Sequence, residues 1–305
     1  MSNKDILEVE IMNIPYWRKI YTTSINQADV CVLGIPFDGA ASVGKGAALA
    51  PDVIRNCTKV LPPVNSAGTR FPEVRVYDEG DVEFSLDWGK FFEQVEHQAL
   101  KLMESGKFCI FIGGDHSVTI PLAKAYAQYN AGRKIGFIHF DSHPDLCNEY
   151  EDSRWSHACP LKRVVDEQIA PRDLAQIGIR SYESEELDFY QAHPELLLIK
   201  AQDIFKNGYQ EAIEQIIAHF KGYDAIYLTL DIDVLDPAYA PGTGTPEAGG
   251  LSSRELMELI NQLMDRLPIT AMDLVEISPS LDTVNQITSW AGAKIIYEVL
   301  AKFAL

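Results

Sequence analysis

The feature that most constrains this chain is a series of short, unbroken apolar runs. Asp29–Ile35, Phe108–Ile112, Ile135–Phe140, Leu174–Ile179, Leu196–Ile199, Ala225–Leu230 and Ile269–Val275 are each of strand length and apolar at almost every position. A strand with one wet face alternates, whereas a continuous run marks a strand buried on both faces. Helix-length amphipathic stretches lie between the runs, among them Trp88–Ser105, Val118–Asn130, Tyr209–Lys221 and Ser253–Leu267, and Thr283–Phe303 reads as a closing helix. This alternation predicts an α/β fold of three layers, α/β/α, around a central, mostly parallel sheet. No repeat, low-complexity tract or Gly/Ser linker divides the chain. Residues 1–305 are therefore expected to form a single domain, with the weakly patterned residues 1–28 as an N-terminal arm or cap.

Bulk charge narrows the partners. The net charge of −18 lacks the basic footprint that nucleic acid requires, and it disfavours an anionic membrane surface. An acidic field instead concentrates cations. No run reaches the length of a membrane span, and the N-terminus shows no secretory pattern. The five cysteines, Cys31, Cys57, Cys109, Cys147 and Cys159, are odd in number and include no CxxC pair. Cys31 and Cys109 sit in apolar runs as small core residues, and a reducing, cytoplasmic setting is expected.

In open parallel sheets, ligands bind beyond the carboxyl ends of the strands. The residues there are unusual. Gly113-Gly114-Asp115-His116-Ser117 follows one run, Asp141-Ser142-His143-Pro144-Asp145 a second, Asp231-Ile232-Asp233 a third and Glu276-Ile277-Ser278-Pro279 a fourth. Residues two apart on an extended segment share a side, so Asp141, His143 and Asp145 can converge, as can Asp231 and Asp233. With His116 they make four carboxylates and two imidazoles. Packed without cations, the carboxylates would repel and their pKa values would rise. Two divalent cations relieve that repulsion, and an oxygen-rich set with imidazole and no thiolate suits Mn²⁺. His139 shares the parity of these ligands but lies within a buried strand, and a structural role is expected for it.

With these residues in place, the sequence resembles the ureohydrolase family, which includes arginases and agmatinases. The resemblance is carried by Gly34–Asp38 (GIPFD), Ala50-Pro51 to Arg55, Gly113–Ser117 (GGDHS), Asp141–Asp145, Leu230–Gly250 (LDIDVLDPAYAPGTGTPEAGG) and Asp273–Pro279 (DLVEISP). It implies an arginase-like fold and two Mn²⁺ per chain. One ion would take His116, Asp141, Asp145 and Asp231, and the other Asp141, His143, Asp231 and Asp233, with Asp141 and Asp231 bridging. It also implies hydrolysis of a guanidino compound to urea and an amine, by attack of a hydroxide held between the metals. Asp145 would relay the proton to the departing amine. Glu276 would pair bidentately with the guanidinium, His157 would act as a proton shuttle at the mouth, and Thr245, beside Thr243, would touch substrate. A homo-oligomer, trimer or hexamer, is likewise implied.

Substrate choice is expected in Leu146–Trp155 (LCNEYEDSRW), which lacks the asparagine- and serine-containing pattern of arginases and offers Glu149, Glu151 and Asp152. Such acids favour a second positive charge. The expected substrate is agmatine, cleaved to putrescine and urea, with Glu149 as a substrate-binding residue. Guanidinobutyrate, guanidinopropionate, arginine and guanidine stay open as alternatives, as do a binuclear phosphoesterase and a non-catalytic relative. Ser142 stands where the family has alanine; by parity it should face away from the ligands.

Overall fold

The computed structural model of the protein describes residues 15–304. Among the described residues, nine strands form one sheet, in the order β1-β3-β2-β4-β9-β8-β5-β6-β7, and every pairing is parallel. The strands are β1 (Tyr21–Thr22), β2 (Val30–Gly34), β3 (Val76–Asp81), β4 (Phe108–Ile112), β5 (Ile135–Phe140), β6 (Leu174–Ile179), β7 (Leu197–Lys200), β8 (Ala225–Asp231) and β9 (Ile269–Val275). All seven apolar runs are strands, within a residue or two at their ends.

The helices are α1 (Ala50–Thr58), α2 (Trp88–Met103), α3 (Thr119–Tyr129), α4 (Pro160–Glu167), α5 (Ser184–Ala192), α6 (Ala201–Asn207), α7 (Tyr209–His219), α8 (Ser253–Arg266) and α9 (Ile287–Leu300). Strand side chains alternate between two apolar cores. Val30, Val32, Ile110, Ile112, Ile138 and Phe140 pack with residues of α1, α7, α8 and α9. Cys31, Leu33, Cys109, Phe111 and Phe137 pack with residues of α2, α3 and α4. The expected three-layer α/β/α sandwich follows, because each strand must bury both of its faces.

Two strands escaped the apolar pattern. β3 reads VYDEGD, and its acids look like loop chemistry. Here they are neutralised: the buried Arg55 guanidinium binds Asp78 at 2.8 Å and also pairs with Asp81. β1 is only two residues long and pairs with β3 at the sheet edge. Of the arm expected over residues 1–28, residues 1–14 lie outside the described residues. Beyond them, Trp17 is buried and donates from Nε1 to Asp78 at 2.6 Å. The closing helix begins at Ile287, not Thr283, because Thr283–Gln286 turns first and the Asp282 carboxylate then accepts the Thr288 and Ser289 N–H groups of the helix's first turn.

All five cysteines are free and buried. No helix among the described residues is long and apolar enough to cross a membrane.

Candidate metal centre

The four strands that deliver acids or histidines, β4, β9, β8 and β5, are contiguous in the sheet. Their carboxyl ends therefore form one floor. Close backbone approach sets its height: a Cβ on Gly114 would lie 1.6 Å from the Phe37 carbonyl oxygen, so only glycine fits there. Gly44, at φ +65°, likewise packs its backbone against that of Gly244 and joins two rim loops.

Convergence of the ligands does not arise from extended parity. The Asp141 carboxylate accepts the His143 N–H at 2.6 Å, and the Asp231 carboxylate accepts the Asp233 N–H at 2.8 Å. Asp115 does the same for Ser117 at 3.1 Å. Each aspartate thus turns the chain as it leaves its strand, the local side-chain-to-backbone bond these residues favour. A further cross-tie binds Ser142 N–H to Asp233 Oδ1 at 3.0 Å. Because the chain turns, Ser142 does not face away. Its Oγ lies 3.0 Å from His143 Nδ1. Asp145 adopts φ 54°, a left-handed conformation that swings its carboxylate back over the floor.

The result is a buried cluster. His116 Nδ1 lies 3.1, 2.9 and 3.4 Å from oxygens of Asp141, Asp145 and Asp231. His143 Nδ1 lies 3.1 Å from Asp233 Oδ2 and 3.4 Å from Asp141 Oδ1. All six expected ligands are brought together. His116 Nδ1 and Asp233 Oδ2 are nonetheless buried with no hydrogen-bond partner. The tautomer explains the first. Thr229 donates its hydroxyl proton to Asp273 Oδ1 at 2.6 Å, so toward His116 Nε2, 2.9 Å away, it can only accept. Nε2 thus carries a proton, and Nδ1 faces three carboxylates. Burial opposes a charged ring, but they outweigh it and raise its pKa well above the ordinary value. Nδ1 must hold either a second proton or a cation there.

Charge tells the same story. Burial and the neighbouring Asp233 and Asp141 push Asp231 well above the carboxylate range. Burial and Asp141 lift Asp145 to about 7. Burial opposes a charged His143, but Asp233 and Asp141 outweigh it and raise the ring to about 12. Without metal, the cluster would gather protons in place of cations. Asp141 departs from the expected rise. Burial opposes its charge, yet the surrounding imidazoles hold it well below the usual range. The donor set fits divalent cations: hard oxygens, imidazole, and lone pairs left unmatched.

Above the cluster opens a cavity of about 320 Å³. Glu276, at φ 61°, and His157 face it. Glu276 Oε1 accepts the His116 N–H at 2.8 Å and His157 Nδ1 at 3.1 Å. Both lone pairs of that oxygen are occupied, so the bidentate grip expected of Glu276 reduces to Oε2. His157 Nε2 meets Ser42 N–H at 3.2 Å and Ser42 Oγ at 2.9 Å. Burial disfavours the charged ring, but Glu276 overrides it and lifts His157 to about 9. Thr245 lines the cavity, while Thr243 is buried with its hydroxyl unpartnered.

Glu149 is not among the lining residues. It is exposed, and its loop contributes Cys147 and Tyr150 instead. Besides the cluster and Glu276, the acids that line the cavity are Glu183, Glu186 and Glu247. Sequence reasoning missed all three. Glu183 and Glu186 follow β6, a strand end that carries no acid–histidine motif, and Glu247 ends the GTGTPE run. Extending the strand-end search to β6 would have found the first two.

The arginase-family model matches residues 28–301. An agmatinase of Neisseria meningitidis serogroup C is 38% identical, over 90% of this chain and 87% of its own. The crystal structure of an agmatine ureohydrolase of Thermoplasma volcanium superposes with a TM-score of 0.84 at 29% identity, covering 97% of each chain. A proclavaminate amidino hydrolase from Streptomyces clavuligerus has the same TM-score, 0.84, at 30% identity, over 95% of this chain and 96% of its own. The chain belongs to the arginase family. It is a hydrolase acting on amidino or guanidino compounds.

Proposed function

We propose that this protein hydrolyses agmatine to putrescine and urea at a centre of two manganese ions, with residues 1–305 acting as one catalytic unit. The observation that carries the reading is the cavity. Four cluster residues, His116, His143, Asp145 and Asp231, line it together with Glu183, Glu186 and Glu247. Agmatine has a positive charge at each end, and the exposed Glu183 and half-buried Glu247 add carboxylates beyond those of the cluster. The 38% identity to an agmatinase points the same way. Guanidinobutyrate, guanidinopropionate and arginine would set a carboxylate against those acids, and guanidine would leave them empty.

His116, Asp141, Asp145 and Asp231 would hold one ion, and Asp141, His143, Asp231 and Asp233 the other. Two divalent cations there would supply a water of lowered pKa as the nucleophile. The protein's own groups do the rest. Glu276 Oε2 accepts a guanidinium N–H and fixes the plane of the group, a charge-assisted contact. Thr245 borders the substrate. In the balanced reaction, water adds a C–O bond to the guanidinium carbon, one C–N bond breaks, and both water protons end on the departing amine, which leaves as an ammonium, the second proton by way of a protein group. Asp145, which lines the cavity as part of the cluster, would relay that proton. His157 Nε2, against Ser42, exchanges protons with the mouth.

The assembly is proposed to be a cytoplasmic homotrimer or hexamer, which light scattering checks. Function is tested by urea release from a panel of guanidino compounds by Mn²⁺-loaded protein. Agmatine is expected to give the highest kcat/KM. Absence of urea from every compound, with two ions bound, would sink the reading.

A further inference from the structure

We infer that His139 is a positioning residue for Asp141 and not a metal ligand: a neutral imidazole locked to donate from Nε2, with Gln176 and Tyr190 holding that polarity from behind. The inference rests on the proposed metal centre.

By proximity His139 could pass for a ligand. Ligand-capable atoms of His116, His139, Asp141 and Asp145 all fall within 4.8 Å of one another. Hydrogen bonds decide the matter. Gln176 Nε2 donates to the Pro144 carbonyl at 2.6 Å and lies 2.8 Å from His139 Nδ1. The Tyr190 hydroxyl donates to Gln176 Oε1 at 2.6 Å. Flipping the amide would set its oxygen 2.6 Å from the Pro144 carbonyl oxygen, acceptor against acceptor, so the orientation is fixed. The second amide N–H then points at Nδ1, which must accept. The single proton of the neutral ring is on Nε2, and it is donated to Asp141 Oδ2 at 2.8 Å. His139, Gln176 and Asp141 are all fully buried, so no water competes. Both ring nitrogens are engaged, and neither has a lone pair left for a cation.

The consequence falls on Asp141. Its Oδ2 takes the His139 N–H, and its Oδ1 takes the His143 backbone N–H at 2.6 Å. One donor on each oxygen fixes the carboxylate plane and leaves a further lone pair on each, as a carboxylate shared between two cations requires. Thr229 and Asp273 apply the same device to His116 with opposite effect. They take the Nε2 proton and turn the Nδ1 lone pair toward the cluster. Two neighbouring histidines, with ring centroids 5.1 Å apart, are thereby set to opposite roles by what lies behind them.

The test compares metal-free native protein with His139→Phe, His139→Gln and Gln176→Met. Free Mn²⁺ is followed by electron paramagnetic resonance during titration, and coordinated imidazole nitrogens are counted by pulsed methods on the loaded forms. His139→Phe is expected to weaken Mn²⁺ binding by roughly 10- to 100-fold, the scale of outer-shell losses. His139→Gln, which keeps an N–H, recovers most of that loss. The imidazole count stays the same throughout. If His139→Phe does not fold by circular dichroism, Gln176→Met, which frees the ring to change tautomer, carries the test with the same direction of effect. Unchanged Mn²⁺ affinity in the folded variants, or one fewer imidazole nitrogen in His139→Gln, overturns the inference. A native protein that takes up no Mn²⁺ overturns the metal centre itself, which is a different result.

Discussion

The floor and the rim of the cavity are built on different principles. On the floor, Asp115, Asp141 and Asp231 each bond a backbone N–H two residues on, and His116 and His139 are fixed by buried partners behind them. On the rim, Glu183 is exposed and Glu247 half-buried, and among the described residues the Glu247 side chain bonds only the Ser181 hydroxyl, at 3.0 Å; Glu186, buried, is tied instead to the Leu146 and Glu183 N–H groups. The difference teaches where chemistry and specificity reside. A cross-tied floor holds one reaction; a loosely tied rim can change its substrate without disturbing it.

The largest expected break is on the floor. Asp231→Asn should lower turnover by roughly 10³-fold or more, the scale of losing an essential group. Elemental analysis should find the ion content reduced. Glu276→Gln comes next. It keeps an oxygen for the His116 N–H but loses the charge facing the guanidinium. Removing one partner of a buried charged pair costs about 2–5 kcal/mol, or roughly 30- to 4,000-fold in kcat/KM. Bound Mn²⁺ should not change, and a parallel loss of metal would place Glu276 in the cluster instead.

Rim changes should be smaller and of another kind. Glu183→Gln or Glu247→Gln should each raise KM for agmatine by at most about five-fold, since exposed pairs contribute up to about 1 kcal/mol. The kcat value should hold. Glu149→Gln should leave KM alone, and an equal effect at Glu149 would contradict the lining seen here. The smallest effect concerns pH. The folded value of His157, about 9, lies above its ordinary 6.5, so its protonation stabilises the fold. That contribution is complete below about pH 6.5 and is lost as pH rises through about 9. Denaturant midpoints of metal-free native protein and His157→Asn should therefore converge between those values; parallel curves would count against the Glu276–His157 pair.

The same contrast governs what could be read from the chain. The seven apolar strands and all six cluster residues were legible, because burial on two faces and an Asp at each strand end leave local marks. Strand β3 was not, since its acids become strand-compatible only when Arg55, on a distant helix, neutralises them. The residues of the D-x-H and D-x-D spacings do converge, but turns, not extended parity, bring them together. Ser142 was misplaced by the same step. Glu149 was chosen because it lies near the motifs in sequence. Glu183 reaches the cavity from the loop after β6, where the strand-end search was not extended, and Glu247 from the GTGTPE loop, where nothing local marks it as facing the cavity.

The most direct measurement of floor against rim is a ratio: kcat/KM for agmatine over that for guanidinobutyrate, in the native protein and in Glu183→Gln/Glu247→Gln, with bound Mn²⁺ counted in both. The native ratio should be large and should collapse in the double variant, with two ions per chain retained. A native preference for guanidinobutyrate, or a ratio that does not move, would contradict the account.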